Sequence, residues 1–180
     1  MSNLEDNQLV RMACGNNVRA FEILVERHYD FMYRIAYRWC GNRVDAEDIT
    51  HNAFLKMADN LRSFRFESSF RSWLCRLVIN SAKDGVRFRQ NESLRNVEIS
   101  ENLAIHSEAE NNTYAHEIFS LVQQLPEDQR IALILVFGEG LTHKEAADIE
   151  KCPEGTIAWR IHEARKNLEY LIKGGGQHER

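Results

Sequence analysis

Arg76, Asn80, Lys83 and Arg87 advance along the chain by four, three and four residues, a spacing that sets all four on one stripe of an α-helix. Just before them, the stretch SFRFESS carries two aromatic rings, Phe64 and Phe66, among polar residues. A line of cationic and polar side chains can follow a phosphate backbone, and aromatic rings can stack on unpaired bases at about 1–3 kcal/mol each. The chemistry that this segment suits is therefore contact with single-stranded nucleic acid. A solvated helix face has the same spacing of charges. Phe70 and Trp73 share the face of Leu74, Leu77 and Val78 and are assigned to the core; Phe88 fits either role.

A second constellation lies near the C-terminus. Thr142, with Glu145 three residues on, is a capping-box signature for a short helix ending around Lys151. After a turn at Cys152, Pro153 starts a longer helix with Ile157, Ile161, Ala164, Leu168 and Leu171 on its inner side. This is the layout of a helix-turn-helix, whose second helix enters the major groove. Thr156, Trp159, Arg160 and Glu163 would project outward, and an arginine there can bind guanine with two hydrogen bonds or neutralise a phosphate. An ordinary helical hairpin with a solvated face is the plain alternative.

A third cluster, Asp45, Glu47 and Asp48, crowds the first turn of a helix written VDAEDITHNAFLKMADNL. Carboxylates there complement the positive end of the helix dipole, and that reading, with a partner surface, is preferred to a metal site. The sequence contains no HExxH, no GxSxG and no glycine-rich phosphate loop, so neither catalytic residues, a metal nor a cofactor is expected. Cys14, Cys40, Cys75 and Cys152 form no CxxC pair and are expected as reduced thiols. The start MSNLEDNQLVRM lacks the pattern of a signal peptide, and the longest apolar run, IALILVF at 131–137, is far too short for a membrane span. A soluble, cytoplasmic protein is expected.

The elements that must position these groups read almost entirely as helix. After CGNN, apolar residues fall at Phe21, Leu24, Val25, Met32, Ile35, Ala36 and Trp39 until Gly41 and Asn42 break the run. Ala46, Ile49, Ala53, Met57 and Leu61 form the buried face of the next helix, and Ser68 or Ser69 can cap the one after it. Residues 90–112 are polar and weakly periodic, which marks a flexible linker. Periodicity resumes at Tyr114, Ile118, Leu121, Val122 and Leu125, with Pro126 at the first position of a helix that ends near Gly138 and Gly140.

The expected fold is all-α: two small helical domains, 1–89 and 113–173, joined by an acidic linker at 90–112, with the second domain a helix-turn-helix and 174–180 a tail. Charge follows this division. Residues 1–90 carry 14 Lys/Arg against 11 Asp/Glu, residues 91–112 one against five, and residues 113–180 eight against eleven, for a net charge of −4. Any nucleic-acid contact must then be local.

Four segments in order, AFEILVERHYDFMYRIA, DAEDITHNAFLKM, SFRSWLCRLVINSAKD and LPEDQRIALILVFGEGLTHKEAADIEKCPEGTIAWRIHEARKNL, resemble those of a bacterial extracytoplasmic-function sigma factor, a promoter-recognition subunit of RNA polymerase. The likeness spans about Leu9 to Leu171. It implies that Asp45, Glu47, Asp48, Phe54 and Lys56 dock on the coiled coil of the polymerase β′ subunit, although His51 and Asn52 differ from the family's usual glutamine and acid. It implies that the Phe64 and Phe66 loop captures a flipped base of the minus-ten element, and that Arg76, Asn80, Lys83 and Arg87 support the melted strand. In the second domain it implies minus-thirty-five contacts from Thr142, Lys144, Thr156, Trp159, Arg160 and Arg165.

Ala158, Trp159 and Glu163 depart from the family's basic, small polar and arginine residues. Lys151 replaces its turn glycine, so a left-handed backbone is expected there. These departures and the acidic charge imply an unusual minus-thirty-five sequence or strong reliance on the polymerase. The partners implied are core RNA polymerase, through its β′ coiled coil and β flap, promoter DNA, and an anti-sigma factor, in this family often membrane-anchored; no small-molecule substrate is implied. Two other readings remain: a sigma-like decoy that sequesters an anti-sigma factor, and a stand-alone helix-turn-helix repressor.

Overall fold

The computed structural model describes residues 4–95 and 113–173, and every regular element among them is helical. Helices α1 (Asp6–Cys14), α2 (Val18–Cys40), α3 (Arg43–Asn60) and α4 (Phe70–Arg95) make up most of one compact unit. Helices α5 (Thr113–Gln123), α6 (Glu127–Leu133), α7 (His143–Glu150) and α8 (Glu154–Ile172) make up most of the other. The all-α expectation holds. The expected linker lies outside the described residues from 96 to 112, as does the tail from 174. Helix α4 continues through Arg95, past the boundary that composition suggested at residue 89.

The helix ends in the first unit follow local chemistry. Asn16 turns the chain between α1 and α2 with φ 66°, and the Asn17 side-chain oxygen accepts from the Ala20 amide at 3.0 Å. Gly41 takes φ 77° between α2 and α3, a value that costs a glycine little. Ser69 is the cap of α4: its Oγ accepts from the Ser72 amide at 3.0 Å.

Leu24, Met32 and Ile35 of α2, Ile49, Ala53 and Met57 of α3, and Leu74, Val78 and Ile79 of α4 are all buried, as the helical periodicity requires. Leu9 and Val10 of α1 are fully buried as well. Composition gave no separate warning of α1, which is anchored by charge: Asp6 Oδ1 accepts from Arg27 Nη1 at 2.6 Å, and the same guanidinium donates to the Leu4 carbonyl at 2.9 Å.

In the second unit, Ile131 and Leu135 meet Ala146 and Ile149 of α7 and Ile157, Ile161 and Ala164 of α8 in the core. The Asn167 amide donates to the Gln129 side-chain oxygen at 2.8 Å and ties α8 to α6. Helix α6 passes into a π-helical turn, Ile134–Gly138, and the chain turns at Gly140 with φ 68°. Pro126 and Pro153 sit at the caps of α6 and α8 with extended ψ, one residue before the first helical position where the sequence suggested them. Ile118, expected inside, is exposed on α5.

His28 joins three helices. It is buried on α2, its Nε2 lies 3.0 Å from Asp6 Oδ2 of α1, and its ring meets Phe70 of α4 edge-on with centroids 5.4 Å apart. Burial disfavours the imidazolium and lowers the His28 pKa below the ordinary value, against the opposing pull of Asp6. Unfolded chain therefore takes up this proton near pH 6.5, while folded chain takes it up only at lower pH. Over that interval the unfolded state binds more protons, so stability falls as pH falls. The expected outcome is a melting temperature that drops on acidification below about pH 6.5. His28→Leu, which keeps the apolar volume and removes the titration, should flatten part of that drop in a pH series of thermal melts.

Candidate nucleic-acid interface

After α3, a short 3-10 turn at Leu61–Ser63 delivers the chain to the loop before α4. Phe64 has an extended backbone and turns its ring inward. It is only 6% exposed, with centroids 5.4 Å from Phe70 and 5.5 Å from Trp73. Phe64, expected to contact a base, has its ring covered by two others in this structure and seats the loop. Phe66 differs. Its φ of 59° is left-handed, a conformation costly for a residue with a bulky side chain. Its ring rests 4.8 Å from that of Phe64 and remains 38% exposed. The guanidinium of Arg11, from α1, lies over the Phe66 ring at 4.8 Å.

Below the loop, Asn80 is exposed on α4, and Arg76 and Lys83 are half-buried beside the core residues Leu74 and Val78. Arg87 follows on the same helix, its side chain outside the described residues. The chain before the loop is tied to the same C-terminal end of α1 by Arg62, whose Nη2 donates to Asn16 Oδ1 at 2.9 Å. Neither Arg11 nor Asn16 was marked by the sequence, because the partners of each lie more than forty residues away and leave no local pattern.

The acidic surface lies on α3. Glu47 and Asp48 are exposed and Asp45 is half-buried. Lys56 Nζ pairs with Asp84 Oδ2 at 2.6 Å, closing one end of a groove of about 600 Å³ between α3 and α4 that Asp45, Asp48, Asn52 and Asp59 also line. Ser81 is buried at this groove, and among the described residues its Oγ has no hydrogen-bond partner. Phe54 stacks parallel to Tyr29 of α2 with centroids 6.1 Å apart, and Tyr29 stacks on Tyr33 at 6.2 Å. No group of three or more potential metal ligands forms among the described residues.

In the second unit the capping box forms: the Thr142 amide and hydroxyl both donate to Glu145 Oε2 at 2.8 Å, and Thr142 Oγ1 accepts from the Glu145 amide at 3.2 Å. These bonds hold the Glu145 carboxyl below the usual carboxylate range. Lys151 takes the left-handed backbone expected where it replaces a glycine, with φ 53° and ψ 46°, and the Cys152 amide donates to the Ala147 carbonyl at 3.1 Å to close the helix end.

On α8, Trp159 is 58% exposed and Thr156 is half-buried. Lys144 is exposed on α7. Arg165 is exposed, with its guanidinium 5.4 Å from the Phe137 ring centroid. Glu163 accepts from Lys166 at 3.3 Å. Arg160 departs from expectation: its side chain is 18% exposed, with Nε 3.3 Å from Asp128 and Nη1 3.6 Å from Glu150. Spacing along α8 placed it on the outer side, but α8 packs against both α6 and α7, so more of its circumference is covered than one apolar stripe implies.

Residues 24–92 match the Sigma-70 region 2 family and residues 115–168 match Sigma-70, region 4. The RNA polymerase sigma-H factor of Pseudomonas aeruginosa is 31% identical over 187 residues, covering 94% of each chain, and the ECF RNA polymerase sigma-E factor of Haemophilus influenzae is 31% identical, covering 94% of this chain and 96% of that one. The chain belongs to the extracytoplasmic-function sigma factors. It is a transcription initiation factor, the subunit class that directs RNA polymerase to promoters.

Among solved structures, the sigma factor RpoE in complex with the anti-sigma factor NepR from Bartonella quintana aligns with a TM-score of 0.72 at 25% identity, covering 87% of this chain and 98% of that one. CnrH in complex with the cytosolic domain of CnrY shares the fold, with a TM-score of 0.70 at 24% identity. In this sigma factor the region 2 match covers most of α2, all of α3 and most of α4, while α1 precedes it; the region 4 match takes in most of α5 and α8 and all of α6 and α7.

Arg160 of the sigma factor is therefore paired with Asp128 and Glu150 in the free protein. Removing the cation that faces half-exposed Asp128 and buried Glu150 leaves a buried polar group without its partner and costs about 1–3 kcal/mol. Arg160→Met should lower the urea midpoint of the region 4 unit by a corresponding amount. An unchanged midpoint would return Arg160 to the DNA-reading surface.

Proposed function

We propose that this sigma factor binds core RNA polymerase through α3, captures a minus-ten base with the loop before α4, and reads the minus-thirty-five element with α8. Domain boundaries near 1–89 and 113–173 suit this division of labour. The observation that carries the reading is the exposed, left-handed Phe66 ring in the loop before α4, the helix that goes on to present Asn80 to solvent. A flipped base loses its stacking partners, and a protein ring with nearby cations restores both stacking and charge balance.

Asp45, Glu47, Asp48, Phe54 and Lys56 form the polymerase-docking surface. The groove beside them suits a basic side chain of the polymerase, which would meet carboxylates at its rim and the Ser81 hydroxyl deeper in. In the second unit Trp159, Thr156, Lys144 and Arg165 are the contacts available to DNA, and Thr142 supports them by capping α7. Arg160, held between Asp128 and Glu150, contributes chiefly by fixing α8.

The factor acts in the cytoplasm and performs no catalysis itself. No helix among the described residues is long and apolar enough to cross a membrane. An anti-sigma protein is the partner suggested by two structural relatives, each solved with its own anti-sigma factor or partner domain. The inward pairing of Arg160 gives some support to a decoy that binds such a protein without reading DNA.

Run-off transcription with core polymerase on a randomised promoter library separates the two. A sigma factor yields specific start sites and both promoter elements, whereas a decoy yields none. Arg76→Ala with Asn80→Ala should abolish promoter opening, followed by permanganate footprinting, while leaving binding to core polymerase intact. Loss of polymerase binding instead would assign this edge of α4 to the docking surface.

A further inference from the structure

We infer that Arg11, on α1, is a positioning residue for base capture: its guanidinium covers the Phe66 ring in the free protein and moves to the phosphate of the captured nucleotide when a base takes its place. The inference rests on the loop before α4 being the base-capturing element.

Three observations carry it. The guanidinium lies 4.8 Å from the Phe66 centroid, too close for a base to fit between them, so stacking on that face requires Arg11 to leave it. Arg11 is exposed, and no ion pair of its own holds it there among the described residues. The other cation that bridges this loop to the α1 end, Arg62, is committed to Asn16 at 2.9 Å. Arg11 is therefore a positive charge placed on the face of the exposed ring and held there by no ion pair among the described residues, on a helix whose position is fixed by Asp6, Leu9 and Val10. It also lies outside residues 24–92, the part of the chain matched to region 2.

The ring that Arg11 covers is held in an unfavourable backbone conformation, with Phe66 at φ 59°. A planar cation on its face helps hold the ring in place before DNA arrives. Once a base occupies the face, the long side chain can turn its guanidinium to the adjacent phosphate without moving α1. The exchange replaces one planar group by another on the same ring and leaves the cation paired with an anion.

The test uses the full-length chain assembled with core RNA polymerase, on templates carrying a premelted minus-ten region selected from the randomised library. Base preference is read at every minus-ten position, and affinity across a salt series, for the wild type, Arg11→Gln, Arg11→Lys and Phe66→Leu. Arg11→Gln should flatten the preference at the one position that Phe66→Leu flattens. It should also reduce the exponent of the salt dependence by about 0.7, the value for one phosphate contact on a single strand. Arg11→Lys should keep the exponent and recover only part of the preference. If Arg11→Gln weakens all minus-ten sequences equally with the exponent unchanged, Arg11 merely props the loop and the inference is overturned. If Phe66→Leu leaves the preference intact, the base-capturing reading fails, and the inference with it.

Discussion

Burial of Phe64 against Phe70 and Trp73 is the contact on which the first unit's reading surface depends. The three rings pack within 5.6 Å of one another, centroid to centroid, and Phe70 extends the cluster to His28 on α2. Together they fix where the chain leaves α3 and where α4 begins. A loop of polar residues has little apolar area with which to hold a shape, and this one borrows its shape from the rings beneath it. Phe66 can then be held in a left-handed conformation, because the residues before and after it are anchored by the cluster and by the Ser69 cap. Strain at an exposed aromatic is sustained by burial at its neighbours.

Apart from α1, the helices were legible in the sequence, and so was most of the face each buries, because a 3.6-residue period of apolar side chains matches the turn of an α-helix and no other regular element. The caps at Ser69 and Thr142 and the left-handed turn at Lys151 were also legible, since each depends on residues within four positions. What was not legible is of another kind. Phe64 and Phe66 are the same residue type two positions apart in a polar loop, and nothing local says which ring turns inward. The answer comes from Phe70, Trp73 and Arg11, on other elements. Arg160 sits among polar neighbours on α8, but α6 and α7 both cover that side, and Asp128 and Glu150 meet it there. The clamp from α1 spans more than forty residues of chain and leaves no pattern in any window that could be read. Local rules thus placed the elements, and tertiary contacts decided which of their polar and aromatic side chains remained available.

The same distinction explains how an acidic chain can act on DNA. Net charge governs loose, long-range attraction to a polyanion, and a chain of net charge −4 has little of it. Contact then depends on a few placed groups rather than on a field. In the second unit the supply is further reduced: Arg160 pairs with Asp128 and Glu150, and Lys166 pairs with Glu163. Exposed Trp159, which can contact a base edge or methyl group but cannot neutralise a phosphate, takes a larger share of the surface.

A reader this weak in charge can still contribute to selection if it does not bind alone. Two modules on one chain meet neighbouring DNA elements at an effective concentration set by the chain and the assembly around it, and the second contact then costs far less than a free encounter would. Weak intrinsic affinity becomes useful in that setting. It leaves free factor unbound to the large excess of nonspecific DNA, whose hold is mainly electrostatic, and makes occupancy depend on both elements being correct. In the proposed division of labour the acidic surface of α3 acts in the same sense, since carboxylates disfavour DNA and favour a basic protein partner. By this logic the paired arginine of α8 and the carboxylates of α3 are not defects in a DNA-binding protein. In the proposed division of labour they shift its affinity from the DNA alone to the complex of DNA with polymerase.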